Sequence, residues 1–282
     1  MNDQWKYITE NIITDDIPLD NFKSNRVNFK LGLWDPETNG IRYLKNILYN
    51  HALELDAYHI ELLSRTKNRH VGNPITVRCT GQEVCMDYLQ AAHETEFIRH
   101  AVDLNGKSVI EIGAGYGRTC HMLLSNFDIT HYTIVDLENC LSLSYKYLKE
   151  VLTPDQFSRI RFVNTDAQWG IHDICINIDS FAEMDSDVVK DYINNIAIYC
   201  KYLYTKNPVG KYKMEGADPD RLKEALSAGI LRDIVDIYDT EDVYKHSKKF
   251  NSAYNPGGWD LISTDWALPW TFYWQTIYGR PR

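Results

Sequence analysis

The chain has 282 residues, 44% of them hydrophobic, enough to bury the core of one large domain or of one domain with a sizeable cap. A formal net charge of -9 with no basic stripe argues against a nucleic-acid partner and for small-molecule chemistry. No run approaches the roughly 18 apolar residues of a membrane span, and the start, "MNDQWKYITENIITDD", lacks the basic and apolar regions of a signal peptide. The expectation is therefore a soluble, cytoplasmic protein. Its six cysteines form no CxxC pair, which favours reduced thiols over a disulfide framework or a zinc site.

In chain order, residues 1–105 read as a helical N-terminal cap. Leu44, Ile47, Leu48, His51, Leu55, Tyr58 and Leu62 recur at three- and four-residue spacing and predict one long helix. "VGNPITVRCTGQEV", 71–84, reads as a loop leading to a helix from Met86 to Ala101. From Gly106 short apolar runs alternate with amphipathic stretches. "SVIEIGAG", "YTIVDLE", "IRFVNTDA", "DICINIDS" and "KYLYTKNP" are five strands, with helices such as "RTCHMLLSNF", "LSLSYKYLKEVL" and "DVVKDYINNIAIYC" between them. Such alternation predicts a parallel sheet with helices on both faces. "DIVDIYD", "WDLISTDWALP" and "TFYWQTIYGR" read as late strands that close the sheet with an antiparallel hairpin, and "KHSKKF", 245–250, as a solvated loop. Trp259, Trp266, Trp270 and Trp274 fall here and read as a bulky core edge rather than a sugar platform. The fold class is α/β, a doubly wound, mostly parallel seven-stranded sheet. It occupies residues 106–282, with an insertion at about 209–258 on the acceptor side.

The first strand ends in "VIEIGAGYGR", 109–118, three glycines in five positions. In such sheets the ligand sits beyond the carboxyl ends of the strands, where strand order reverses. Gly113 and Gly115 permit a tight turn and close approach of backbone N–H groups to a ligand. A dinucleotide fingerprint wants glycine at the sixth position from Gly113, where this chain has Arg118, and Glu111 adds like charge to a pyrophosphate. A carboxylate suits a cationic ligand without phosphate, and S-adenosylmethionine is one. Asp136 ends strand two, where an acid accepts ribose hydroxyls of this ligand or of NAD alike, and Asp166, beside Ala167, follows strand three within reach of an adenine amino group. Singly, each acid reads equally well as a cap or turn residue.

"VIEIGAGYGRTC" followed by "YTIVDLENCLSLSYKYL" resembles the cofactor half of class I S-adenosylmethionine-dependent methyltransferases over residues 105–207. "GNP" at 72–74, "NIDSFAEM" at 177–184 and "YLYTKNP" at 202–208 resemble a bacterial family of sugar O-methyltransferases associated with polysaccharide biosynthesis. The resemblance implies a Rossmann-like methyltransferase fold and cofactor contact by Glu111, Gly113, Gly115, Asp136 and Asp166, with Ala114, Leu137 and Ala167 flanking them. It also implies an acceptor hydroxyl on a sugar, nucleotide sugar or phospho-sugar, in capsule synthesis. The rivals are an NAD-dependent sugar-nucleotide oxidoreductase or epimerase on the same topology, and a non-catalytic binding subunit of the same fold.

A sugar hydroxyl is a poor nucleophile near neutral pH, so a general base is expected. His131 and His172 precede their strands and lie at the wrong end of the sheet. Glu183 or Asp179, at the end of strand four, is the expected base, the alternative being that Asp179 and Ser180 cap the following helix and Glu183 supports its first turn. His51, His70, His93 and His246 come next. Ser180, Lys206, Asn207 and Arg78 are the expected substrate contacts, and Lys211 and Lys213 are further candidates for a phosphate. Asp185 and Asp187 with Glu183 resemble a magnesium site, but acids at a helix start commonly serve its dipole, and no metal is expected. A homodimer is the expected assembly.

Overall fold

The computed structural model describes residues 3–13, 36–166, 168–213 and 219–281. The chain divides into two compact units, Met1–Glu54 with Ile75–Val84, and Leu55–Pro74 with Cys85–Arg282. Residues 55–74 and 85–105 thus cluster with the sheet, although their helical pattern resembles that of the residues before them.

The smaller unit holds α1 (Asp3–Asn11), α2 (Pro36–Leu53) and β1 (Thr76–Cys79), which pairs with β2 (Gln82–Cys85). The expected loop at 71–84 is therefore largely a hairpin. Its two-residue turn places both Thr80 (φ 47°) and Gly81 (φ 78°) in the left-handed region, the geometry that matches the twist of paired strands. α2 packs on β1 through buried Leu48 and Ala52, whose carbonyl receives the Cys79 thiol. The expected long helix over 44–62 is two helices. α2 stops at Leu53, and Asp56 starts α3 (Ala57–Arg65) by accepting the His59 backbone N–H at 2.9 Å. A capping aspartate inside an unbroken apolar period ended the helix where periodicity alone carried it on.

The larger unit continues with α4 (Met86–Ala101), β3 (Ser108–Ile112), α5 (Arg118–Asn126), β4 (His131–Val135), α6 (Glu138–Val151), α7 (Pro154–Ser158), β5 (Ile160–Val163) and β6 (His172–Ile178). A short 3-10 turn (Ser180–Ala182) leads to α8 (Ser186–Tyr199) and β7 (Cys200–Pro208); α9 (Pro219–Ser227), α10 (Thr240–Ala253), β8 (Asp260–Trp266) and β9 (Tyr273–Gly279) complete it. The seven-stranded sheet has the order β5-β4-β3-β6-β7-β9-β8, parallel from β5 to β7 and antiparallel at β9 and β8. Strand order reverses between β3 and β6, which puts the ligand crevice at the carboxyl ends of those strands.

Strand alternation splits the core into two layers. Ile110, Ile112, Cys175 and Leu203 face one way and pack with α8 and α10 residues such as Val189, Ile196, Val243 and Phe250. Val109, Ile174, Ile176 and Tyr204 face the other way and pack with Ile98, Leu123 and Leu148 of α4, α5 and α6. Two late expectations are corrected. "DIVDIYD" forms no strand, only a bridge from Ile234 to Lys211, because no neighbouring strand continues the pairing. "KHSKKF" is not a loop but part of α10, where Val243, Ser247 and Phe250, at three- and four-residue spacing, turn a buried face inward between the charged residues. Trp259 and Trp274 are buried, as a core edge requires. All six cysteines are free thiols.

Candidate active site

β3 is buried at all five positions and runs straight into the 113–117 loop. Gly113 and Gly115 hold φ of +73° and +58°, left-handed values that cost a side chain roughly 1–2 kcal/mol each. Gly113 donates to the Val135 carbonyl at 2.8 Å, so it still belongs to the β3–β4 pairing. The space of its missing Cβ is taken by Ser180, which follows β6. Ser180 Oγ donates to the Ile112 carbonyl at 3.1 Å and accepts from Asn177 Nδ2 at 2.6 Å. Gly115, in contrast, faces open space. Ala114, between them, packs its methyl against the core.

Asp136 stands at the end of β4 with each carboxylate oxygen held by one backbone N–H. Gly115 N–H donates to Oδ2 at 2.8 Å and Leu137 N–H to Oδ1 at 2.7 Å. The acid thus links the loop after β3 to the start of α6. Beside it lies a groove of about 490 Å³ lined by Gly113, Gly115, Asp136, Leu137, Ser180 and Glu183, among others. An adjoining recess of about 260 Å³, lined by Asp166 and Asn195, shares Thr165, Val188 and Tyr192 with it, so the two are continuous across the ends of β3, β4, β5 and β6. Ala167 lies outside the described residues.

Glu111 is placed differently from its neighbours. It shares the face of Val109, away from the groove lining, and its carboxylate accepts the Tyr132 hydroxyl at 2.6 Å. Burial raises its pKa to about 7, against hydrogen bonds from Tyr132 and Thr119 that pull it down. It therefore braces the loop from behind and does not line the groove.

A second cavity of about 420 Å³ lies beyond the ends of β6 and β7, lined by Asp179, Glu183, Lys211, Tyr212, Phe272 and Tyr273 together with α9 residues including Leu226. Glu183 lines both spaces. Its pKa is raised, first by burial and then by the Asp179 charge, with Lys211 opposing. Asp179 has the left-handed φ of 69° and accepts the Tyr273 hydroxyl at 2.7 Å. Neither Asp179 nor Ser180 caps a helix with its side chain, because one is bonded to Tyr273 and the other to Ile112. Lys211 donates to the Ala182 carbonyl at 2.7 Å, and burial lowers its pKa. Tyr273 and Phe272 escape sequence reasoning, since only the antiparallel pairing of β9 with β7 brings them to this cavity.

Two expected substrate contacts are corrected. Lys206 is 1% exposed, and its ammonium pairs with Glu94 Oε1 at 2.7 Å and donates to Gln90 Oε1 at 2.9 Å. Asn207 is fully buried, donating to Asn177 and Thr205. β7 runs on to Pro208 between β6 and β9, so both residues stay inside the sheet and line neither space. Glu94 also holds Arg118 through both oxygens at 3.1 and 2.8 Å, and the two cations outweigh burial and keep its pKa low. Arg78 is exposed in the hairpin of the smaller unit, 3.6 Å from Glu83. Asp187 is exposed and paired with Lys190. His131 and His172 begin β4 and β6, at the far end from the groove.

No family model matches the sequence, and neither does any curated protein. Solved structures do resemble the fold. Geranyl diphosphate methyltransferase in complex with SAM matches with a TM-score of 0.50 at 11% identity, over 68% of this chain and 86% of that one. The form with GPP and sinefungin gives 0.50 and 11%, over 68% and 78%. Mitomycin 7-O-methyltransferase gives 0.46 and 13% over 68% of this chain, and this chain spans only 56% of its length. The fold is a Rossmann-like α/β fold with an antiparallel β9–β8 edge, and it is shared with these methyltransferase structures.

Proposed function

We propose that this chain is an S-adenosylmethionine-dependent O-methyltransferase acting on a sugar or sugar-derived hydroxyl, in bacterial surface polysaccharide synthesis. The observation that carries the reading is Glu183, a partly desolvated carboxylate on the wall common to the groove and the second cavity. S-adenosylmethionine, when bound, supplies a methyl group activated by a sulfonium. The groove fits it. Asp136 is oriented by two backbone N–H groups and borders the groove, suited to the ribose hydroxyls. Gly115 offers bare backbone, Leu137 an apolar edge, and Asp166 a carboxylate for the adenine amino group, with Ala167 beside it in sequence. Among the described residues the groove lining carries acids and no lysine or arginine, which suits a cationic ligand better than the pyrophosphate of NAD.

On the acceptor side, Tyr212, Phe272 and Tyr273 offer ring faces to the C–H faces of a sugar, and Lys211 a cation for a phosphate or nucleotide sugar. Glu183 accepts the hydroxyl proton on a carboxylate oxygen, contributing of the order of 10²–10⁴ in rate. Asp179, fixed by Tyr273, holds the acceptor by hydrogen bonding. A cytoplasmic homodimer is part of the same proposal; among the described residues no helix is long and apolar enough to cross a membrane.

Transfer of labelled methyl from S-adenosylmethionine to a panel of nucleotide sugars and capsule-type sugars tests the reading. Labelling of one of them that falls at least about 100-fold in Glu183→Gln is expected. Transfer only to non-sugar acceptors would replace the substrate class, and undiminished transfer by the variant would remove Glu183 as base.

A further inference from the structure

A separate constellation in the larger unit lines neither the groove nor the second cavity. His59 lies in the first turn of α3 and is 5% exposed. Asp56 Oδ1 receives both its backbone N–H at 2.9 Å and its ring Nδ1 at 2.8 Å. A carboxylate only accepts, so Nδ1 carries a proton and the tautomer is fixed. The other ring nitrogen, Nε2, then faces α4. It lies 2.8 Å from Glu96 Oε2, yet the two are misaligned and Nε2 is buried without a hydrogen bond. The His93 ring stands edge-on to His59, centroids 4.7 Å apart.

His93 and Glu96 are three residues apart on α4 and so project from the same helix face. Ligand atoms of His59, His93 and Glu96 all lie within 4.8 Å of one another. A neutral imidazole nitrogen and a carboxylate oxygen at 2.8 Å repel one another unless a proton or a cation stands between them. The poor alignment argues against a well-made N–H···O bond. Arg99 and His100 approach Glu96 at its other oxygen, each at 3.7 Å.

We propose that His59 Nε2, a ring nitrogen of His93 and Glu96 Oε2 bind one divalent transition-metal ion of the zinc type. Two imidazoles and one carboxylate are the borderline ligands such an ion takes, and the Asp56–His59 bond is the outer carboxylate that orients a metal-binding histidine. Donors on one tetrahedral ion with bonds of about 2.1 Å sit roughly 3.4 Å apart. Closing the observed spread of 4.8 Å asks for a contraction of up to about 1.4 Å, and the 2.8 Å pair for an opening of about 0.6 Å, both within reach of side-chain rotation. The ion would join α3 to α4, and the fourth position would be left to water.

The test is calorimetry of the chelator-treated full chain with zinc chloride alone, run beside cobalt(II) absorption. One-to-one binding is expected, with visible cobalt bands of tetrahedral intensity. His93→Asn and Glu96→Gln, both on the partly exposed face of α4, should each weaken binding at least tenfold, and His59→Ala should abolish the cobalt bands. A wild-type chain that binds no zinc stoichiometrically, or folded His93→Asn and Glu96→Gln variants that bind as tightly as wild type, would overturn the site and leave a histidine held between two carboxylates.

Discussion

The Ser180 hydroxyl occupies the space of a side chain at residue 113, its oxygen 2.2 Å from where an ideal Cβ on Gly113 would lie. The turn after β6 is thereby keyed into the loop after β3, and the groove forms where the two meet.

Gly113→Ala meets this contact and a φ of +73° together, so a loss of about 3 kcal/mol is expected. Ser180→Gly in the same chain removes the clash but not the backbone strain. Thermal unfolding should therefore show the double variant recovering about half of the loss.

Glu111 gives stability a pH dependence of defined sign. Its pKa stands at about 7 in the folded chain against an ordinary 4.5, so between these values the native state holds a proton that the unfolded chain has released. Stability is highest, as far as this group is concerned, below about pH 4.5 and declines as pH rises through about 7, by on the order of 3 kcal/mol. Glu111→Gln keeps the Tyr132 acceptor and stays neutral. Urea unfolding at pH 5 and pH 8 should show the variant gaining on wild type at the higher pH.

The buried Glu94 serves two cations, and its removal is expected to be costlier than that of either partner. Glu94→Gln leaves Lys206 and Arg118 in the interior without their counter-charge, at about 3–5 kcal/mol. Lys206→Met leaves Glu94 bonded through both oxygens to Arg118 and should cost less than about 2 kcal/mol. Chemical denaturation of the two variants checks the order.

Strand ends were legible because four of the five apolar runs finish in or near a glycine or an acid, and Gly113, Asp136, Ser180 and Glu183 all reach the groove. The faces of the strands were harder to read. Glu111 and Lys206 look like ligand contacts by position, but the period of two turns both toward the layer of α4 and α5, where Tyr132 and Glu94 receive them. Long-range partners were out of reach altogether. Nothing local joins Tyr273 to Asp179, 94 positions away, or brings α3 to His93. Polar composition also hid α10, whose buried face is a few residues among lysines.

In the proposed reaction Asp179 helps set the working range of Glu183. Burial of Glu183, and after it the Asp179 charge, raise the Glu183 pKa, so a base at this position would lose activity on the acid side at a higher pH than an ordinary carboxylate. Asp179→Asn removes the charge and should move the acid limb of the kcat/KM profile to lower pH, whereas Tyr273→Phe, which strips a donor from Asp179, should lower kcat several-fold. An acid limb that stays in place in Asp179→Asn would show that Glu183 is not the group being titrated.

The central claim is that the groove beside Asp136 takes S-adenosylmethionine, and isothermal calorimetry of the full chain with S-adenosylhomocysteine, beside NAD, tests it most directly. Micromolar binding of S-adenosylhomocysteine alone is expected, weakened at least tenfold in Asp136→Ala. Binding of NAD alone would contradict the claim and revive a dinucleotide enzyme on this sheet, and binding of neither would contradict it in favour of a non-catalytic subunit.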